Sequence, residues 1–131
     1  MDNEPGKIRR LAIRIVFLLT AIALLPSTFQ ALFLSEAPPE PFYGIALSFW
    51  LALSALSLLG LLYPIKMLPL LILQMLYKGF WLLGVGLPLW SENNLSPYED
   101  LFFANAFGIF IDIAVIPWIY LFKKHITKPT W

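Results

Sequence analysis

The chain has 131 residues, of which 60% are hydrophobic and only 13% are charged, and its formal net charge is +1. A soluble domain is about half apolar and about a quarter charged, so this composition excludes an ordinary water-soluble protein and predicts an integral membrane protein. The chain contains no cysteine, which excludes disulfides, thiol catalysis and cysteine metal sites.

Long apolar stretches fill almost the whole sequence. Each is about as long as the roughly 20 residues that an α-helix needs to cross roughly 30 Å of hydrocarbon. We therefore predict an all-α protein with a single transmembrane domain over residues 1–131 and no soluble domain. The four predicted helices cover approximately residues 8–34, 42–62, 66–90 and 98–122.

Prolines indicate where the third and fourth helices begin. Because Pro69 cannot donate a backbone hydrogen bond, the third helix is predicted to begin near Leu68. Ser96 and Glu99 have the spacing of a capping box, and Pro97 stands at the first helical position between them. This pattern predicts a firm start for the fourth helix.

The charges predict the orientation in the membrane. The connections "SEAPPEPF" and "WSENNLSPYED" contain acidic residues and no lysine or arginine. By the positive-inside rule they face outward, and short connections make adjacent helices antiparallel. We expect an up-down-up-down four-helix bundle in the bacterial inner membrane, with both termini in the cytoplasm. The basic residues on the cytoplasmic side are Lys7, Arg9, Arg10, Arg14, Lys66, Lys123, Lys124 and Lys128.

One basic and one acidic residue remain inside the predicted helices. Lys78 lies ten residues after Leu68, and Asp112 lies eleven residues before Lys123, which places each about 15 Å from the inner surface. An unpaired charge at that depth costs about 2.5 to 3.5 kcal/mol on insertion scales. We therefore predict that Lys78 and Asp112 face each other near the midplane.

Other polar and aromatic residues are predicted in the same layer. Helical spacing places Gln74 and Trp81 on the face of Lys78, and Asn105 and Gly108 on the face of Asp112. The second helix adds Ser54 near this depth and Trp50 slightly outward of it. Together they predict a small aromatic-walled polar pocket or a narrow water-filled path. The candidate site comprises Lys78, Asp112, Gln74, Asn105, Trp50, Trp81 and Ser54.

A proline follows the predicted buried acid. Pro117 removes one backbone donor and leaves the carbonyl of Ile113 without its helical partner, which predicts a kink beside Asp112. A kink at that position can form a cavity. Prolines also occur in membrane helices for reasons of shape alone.

The buried charges admit three interpretations. Lys78 and Asp112 could form a structural ion pair that fixes helix register, since removing one partner of such a pair costs several kcal/mol. They could instead serve transport, proton movement or ligand binding, because intramembrane ionisable residues often mark such pathways. In the third interpretation, one of the charges meets a partner protein.

The sequence favours a protein without catalytic activity. Its single histidine, His125, lies among lysines in the C-terminal tail, and no Ser-His pair, phosphate loop or metal-ligand cluster is evident. We predict no cofactor, no metal and no nucleic-acid partner. The leading hypothesis is an accessory or assembly subunit in a membrane complex or a homo-oligomer. The alternative is a small transporter or proton-coupled channel using Asp112 and Lys78, and an enzyme acting on a lipid ranks third.

Overall fold

The computed structural model describes residues 5–126, with side chains described for residues 5–124. Within this part of the chain the regular structure is all helical, with no strand. The chain divides into two compact units, the first ending at Leu70 and the second beginning at Leu71. The single transmembrane domain over residues 1–131 stays a prediction.

The first unit contains two long helices. α1 spans Lys7–Phe29 and continues directly into a π-helical turn at Gln30–Leu34. α2 spans Pro41–Leu62 and begins at the proline itself. Pro26 lies inside α1 without ending it, so the predicted first helix is continuous to Leu34.

Contacts at one end of this unit pair the first part of α1 with the last turn of α2. Phe17 is fully buried, and its ring occupies the space that a Cβ on Gly60 would need. The Arg14 Nε donates a 3.1 Å hydrogen bond to the carbonyl oxygen of Leu61. The last carbonyls of a helix lack helical partners, so Arg14 satisfies one of them and fixes the register of α1 on α2.

The next helix begins where the sequence predicted. α3 spans Leu68–Trp81, with Pro69 at its second residue, which confirms the predicted start near Leu68. It runs through a π-helical turn at Leu82–Gly86 into α4, Leu87–Ser91, so the three segments form one stretch long enough to cross a membrane.

The chain then turns back towards the last helices. Asn93 has a positive φ of 60° in the turn after α4, a conformation that asparagine adopts more readily than most residues. A short 3₁₀ turn spans Ser96–Tyr98, and α5 spans Glu99–Val115.

The capping box predicted for Ser96 and Glu99 is wrong. No side-chain hydrogen bond caps the 3₁₀ turn or α5. Tyr98, at φ −121° and ψ 17°, leaves helical geometry and takes the N-cap position of α5. Ser96 therefore lies two residues before the cap and Glu99 becomes the first residue of the helix, so the predicted spacing no longer applies.

The predicted fourth helix is interrupted rather than continuous. α5 ends at Val115, and α6 begins at Trp118, spans Trp118–Leu121 and is followed by a π-helical turn at Phe122–Ile126. The two helical segments meet at a bend of 77°. Three helices in the described chain are therefore long and apolar enough to cross a membrane, or four if this bent pair forms one span.

On α5, two polar side chains are buried while large apolar ones are exposed. Phe107 and Phe110 on α5 are 70% and 74% exposed, whereas Asn105 and Asp112 on the same helix are 7% and 1% exposed. This is the reverse of the usual pattern in water. The buried polar residues are Thr28, Ser54, Ser57, Gln74, Asn105 and Asp112.

A carboxylate caps the start of α2. The Glu40 Oε2 accepts a hydrogen bond from the backbone N–H of Tyr43 at 2.9 Å, and its Oε1 accepts one from Phe42 at 3.1 Å. These two bonds hold the pKa of the Glu40 carboxyl below its ordinary value. The carboxylate therefore stabilises the fold above the unfolded-state pKa, and this stabilisation is lost as pH falls through the folded-state pKa.

We expect Glu40→Gln to lower the unfolding temperature at neutral pH and to flatten its fall on acidification. The matched control is Glu36→Gln, an exposed acid in the same connection. Unfolding temperatures in mild detergent across the acidic range, compared among the three proteins, test this. Equal pH profiles for wild type and Glu40→Gln would contradict the capping role.

Candidate functional site

An ion pair joins α3 and α5 within the second unit. The Lys78 Nζ lies 3.9 Å from the Asp112 Oδ2, and the two side chains are 16% and 1% exposed. The two charges are adjacent, as the sequence predicted. The separation exceeds hydrogen-bonding distance, and the Asp112 Oδ2 accepts no hydrogen bond from the described residues. The pair is therefore held by charge attraction without direct sharing of a proton.

Gly108 provides the space for the lysine side chain. A Cβ at Gly108 would lie 2.6 Å from the Lys78 Nζ and 3.1 Å from its Cδ and Cε. The amine also lies 5.9 Å from the centre of the neighbouring Tyr77 ring. The sequence placed Gly108 only on the face of Asp112; in the structure the space beside this glycine is filled by the end of Lys78.

We expect Gly108→Ala to displace the Lys78 amine and to destabilise the protein relative to Gly79→Ala. A Cβ at Gly79 would meet only Ile109 Cδ1, at an ordinary 4.0 Å, so that variant is the matched control. Both changes add the same methyl group to a helix, and the difference between them should be about 1 kcal/mol or less, because the atoms that must shift belong to the flexible end of Lys78. Unfolding midpoints in mild detergent measure it, and equal midpoints would show that the lysine needs no such space.

Further contacts define the register of the two helical segments. Gly86 lies against Phe102, whose Cδ2 would be 2.9 Å from a Cβ at that glycine. Gly79 lies beside Ile109, and Lys78 beside Asp112. Residue numbers therefore rise along α3 and the π-helical turn as they fall along α5, so the chain forms a hairpin.

The residues that the sequence placed in one polar layer lie at different heights along the two helices. Gln74 precedes Lys78 by four residues, about 6 Å of helix, and Asn105 precedes Asp112 by seven, about 10 Å. Because the helices run in opposite directions, these two displacements point to opposite ends of the hairpin. Residues that share a helical face still differ in their position along the helix axis. We use the name polar track for Gln74, Lys78, Asp112 and Asn105, which spread over about 16 Å along the hairpin; three of them are buried, and Lys78 is 16% exposed.

Trp81 is half-buried, one turn beyond Lys78 on α3. Its ring packs against Gly86, where the Cζ3 atom would be 3.0 Å from a Cβ. Phe102 contacts the same glycine, and the ring centroids of Phe102 and Trp90 are 6.5 Å apart. Trp81 thus belongs to an aromatic cluster around the π-helical turn. A role for it in lining a polar pocket stays a prediction.

The two residues predicted from the second helix lie in the first unit. Ser54 is fully buried, and its hydroxyl donates a 2.8 Å hydrogen bond to the carbonyl oxygen of Leu51. Trp50 is half-buried on the same helix. Membership of Trp50 and Ser54 in one site with Lys78 stays a prediction.

The bend after Asp112 has a specific hydrogen bond. The carbonyl oxygen of Ile113, which Pro117 cannot serve, accepts a 2.9 Å hydrogen bond from the Trp118 indole Nε1. The kink was predicted, but its indole partner was not. The signal in the sequence was the tryptophan directly after the proline.

Among residues with described side chains, no group of three or more His, Asp or Glu could hold a metal ion. The side chain of His125 lies outside the described residues. No family model, curated protein or solved structure matches this chain. The functional argument therefore depends on the hairpin and its polar track.

Proposed function

We propose that this chain is an integral membrane protein whose four spans form an antiparallel bundle, with both termini in the cytoplasm of a bacterium. Its exposed apolar surface supports insertion. In the most apolar 18-residue segment of each of the three long helices, only 28%, 28% and 22% of the segment is buried. So much exposed apolar surface is unfavourable in water and favourable in hydrocarbon.

Charge asymmetry in each unit supports the orientation. In the first unit the described acids, Glu36 and Glu40, lie in the connection before α2, whereas Lys66 and the basic residues of α1 lie at the other end. In the second unit Glu92, Glu99 and Asp100 precede α5, while Lys123 and Lys124 follow α6. The positive-inside rule then assigns the basic ends to the cytoplasm.

Within this placement the chain acts as a non-enzymatic accessory or assembly subunit, in contact with other membrane subunits or with a second copy of itself. The observation that supports this role is the Lys78–Asp112 pair, in which one hairpin neutralises its own buried charges at 3.9 Å. A hairpin whose buried charges neutralise each other can pack stably against the helices of other subunits. Exposed rings such as Phe107 and Phe110 offer apolar area for helix packing.

Native electrophoresis tests the accessory role. Membranes expressing a tagged chain at its native level are solubilised in mild detergent and compared with the purified 14.9 kDa chain. We expect the chain from membranes to migrate in a larger assembly with a reproducible second subunit, or both samples to migrate as the same oligomer. Monomeric migration of both samples would contradict the proposal, as would solute movement by purified protein with kinetics that depend on Lys78.

The second candidate is a small transporter or proton-coupled channel. The specific observation in its favour is the helix break directly after Asp112, because transporters place coupling sites at discontinuous helices. The polar track adds buried amide groups on either side of the pair. In this mechanism Asp112 carries the proton and Lys78 holds the vacated carboxylate.

Liposomes with an internal pH dye separate the two candidates. The channel hypothesis expects pH-dependent proton flux with the wild-type protein and none with Asp112→Asn. Asp100→Asn, at the exposed first turn of α5, is the matched control and should keep full flux. Flux no faster than in protein-free liposomes, or equal flux in Asp112→Asn, eliminates this candidate.

A further inference from the structure

The two helices of the first unit differ in length. α1 with its π-helical turn, Lys7–Leu34, has 28 residues, and α2, Pro41–Leu62, has 22. At about 1.5 Å per residue these are about 42 Å and 33 Å, and the shorter already matches the roughly 30 Å of a hydrocarbon core. The 3.1 Å hydrogen bond from Arg14 to Leu61 places Arg14 level with the end of α2. The first two turns of α1, residues 7–13, therefore extend about 10 Å beyond that level.

Basic residues concentrate where α1 extends past α2. Lys7, Arg10 and Arg14 have the i, i+3, i+7 spacing of one helix face. The Arg14 Nε faces the end of α2, and the terminal amino groups of this guanidinium have no hydrogen-bond partner among the described residues. Lys66 lies in the turn after α2, with its amine 5.7 Å from the centre of the Tyr63 ring. Two cations thus flank the last turn of α2.

No described acid of this unit lies near these cations. Glu36 and Glu40 are at the opposite end of α2, about 33 Å away by helix length. Arg14 and Lys66 are both exposed. The hydrogen bond to Leu61 at the carboxyl end of α2 uses only the Nε N–H of Arg14. The remaining Arg14 donors and the exposed Lys66 amine both lie near the end of α2, where headgroup phosphates would lie if α2 spans a bilayer.

We propose that Arg14 and Lys66 bind the phosphate of an anionic phospholipid headgroup in the inner leaflet, at the end of α2. A guanidinium presents a planar pair of donors that matches two phosphate oxygens, and an ammonium adds a second positive charge. Tyr63 lies beside Lys66 where an aromatic ring prefers the interface. The proposal requires membrane insertion and is independent of whether the protein is an accessory subunit or a channel.

Lipid-dependent thermal stability of the full chain in mild detergent tests this site. Phosphatidylglycerol should raise the unfolding temperature of wild type at mole fractions where phosphatidylcholine does not. Arg14→Gln with Lys66→Gln should require at least roughly ten-fold more phosphatidylglycerol, because the charge-assisted hydrogen bonds to its phosphate are lost. Lys123→Gln with Lys124→Gln removes two exposed basic residues elsewhere and should behave as wild type.

Each other outcome overturns the proposal. Equal weakening in both double variants would show attraction to total charge rather than a site. Protection by inorganic phosphate at the concentration that phosphatidylglycerol requires would identify a site for free phosphate instead of a lipid. Should Arg14→Gln with Lys66→Gln fail to fold, Lys66→Gln alone and Arg14→Lys replace it. Wild-type lipid dependence in both of these single variants would end the proposal.

Discussion

Asp112→Leu is expected to destabilise the protein by about 3–5 kcal/mol, because it leaves the Lys78 ammonium without its partner inside the hairpin. Lys78→Met should have a similar effect by leaving the carboxylate alone, since Asp112 is only 1% exposed. The double variant replaces both charges by apolar groups of similar volume and should recover most of the loss. Unfolding of the four proteins in mild detergent gives the coupling energy directly.

The control for this cycle is Asp100→Leu, on the exposed first turn of the same helix. It removes the same charge without leaving a buried partner, and only a favourable helix-end interaction of about 1 kcal/mol or less is lost. If Asp112→Leu and Lys78→Met prove as stable as wild type, the pair does not hold the hairpin together. The two charges would then be present without stabilising the folded state, and the polar track would become the first place to look for ion or proton movement.

Gly60→Ala is expected to produce the largest loss of stability from a single added methyl group. The ring of fully buried Phe17 already occupies the position of that methyl, so α1 and α2 must separate or the ring must leave its rotamer. Overpacking of this kind costs about 1–3 kcal/mol. Phe17→Leu in the same chain makes room for the methyl and should restore part of the loss, which thermal unfolding in detergent would measure.

Gly44→Ala is the matched control on the same helix. There the added Cβ would lie 3.8 Å from the Pro39 Cγ, an ordinary contact. This variant should be neutral or slightly stabilising, because alanine favours helix over glycine by up to about 1 kcal/mol. Equal effects of Gly44→Ala and Gly60→Ala would show that the close packing of Phe17 is not needed for the first unit.

The structural features that were predicted best are those with a strong local cause in the sequence. Pro69 restricts where a helix can begin, and α3 begins one residue before it. Pro117 removes a donor, and the helix breaks there. The size of the 77° bend could not be read from the sequence, because it depends on where the Trp118 indole finds the carbonyl of Ile113. The π-helical turns were also missed, since their apolar residues fit an ordinary helix equally well.

The candidate site was predicted in part. Lone charges in apolar helices need partners, and this cost predicted the contact between Lys78 and Asp112. Asn105 lies about 10 Å from Asp112 along the helix, which residue spacing and helical rise already imply. The prediction used only the shared helical face and did not take this separation along the axis into account. Gly108 could not be assigned from sequence, since a glycine in a helix indicates a close approach without saying which atoms approach.

The closure of the ion pair within one hairpin also has a consequence for biosynthesis. When α3 leaves the ribosome, its lysine has no counter-charge, because Asp112 lies on a helix that has not yet been made. Release of α3 alone into lipid would expose an ammonium to hydrocarbon. If the chain spans a membrane as we propose, it is therefore expected to keep α3 at the insertion machinery until α5 has been synthesised, so that α3 and α5 enter the bilayer together.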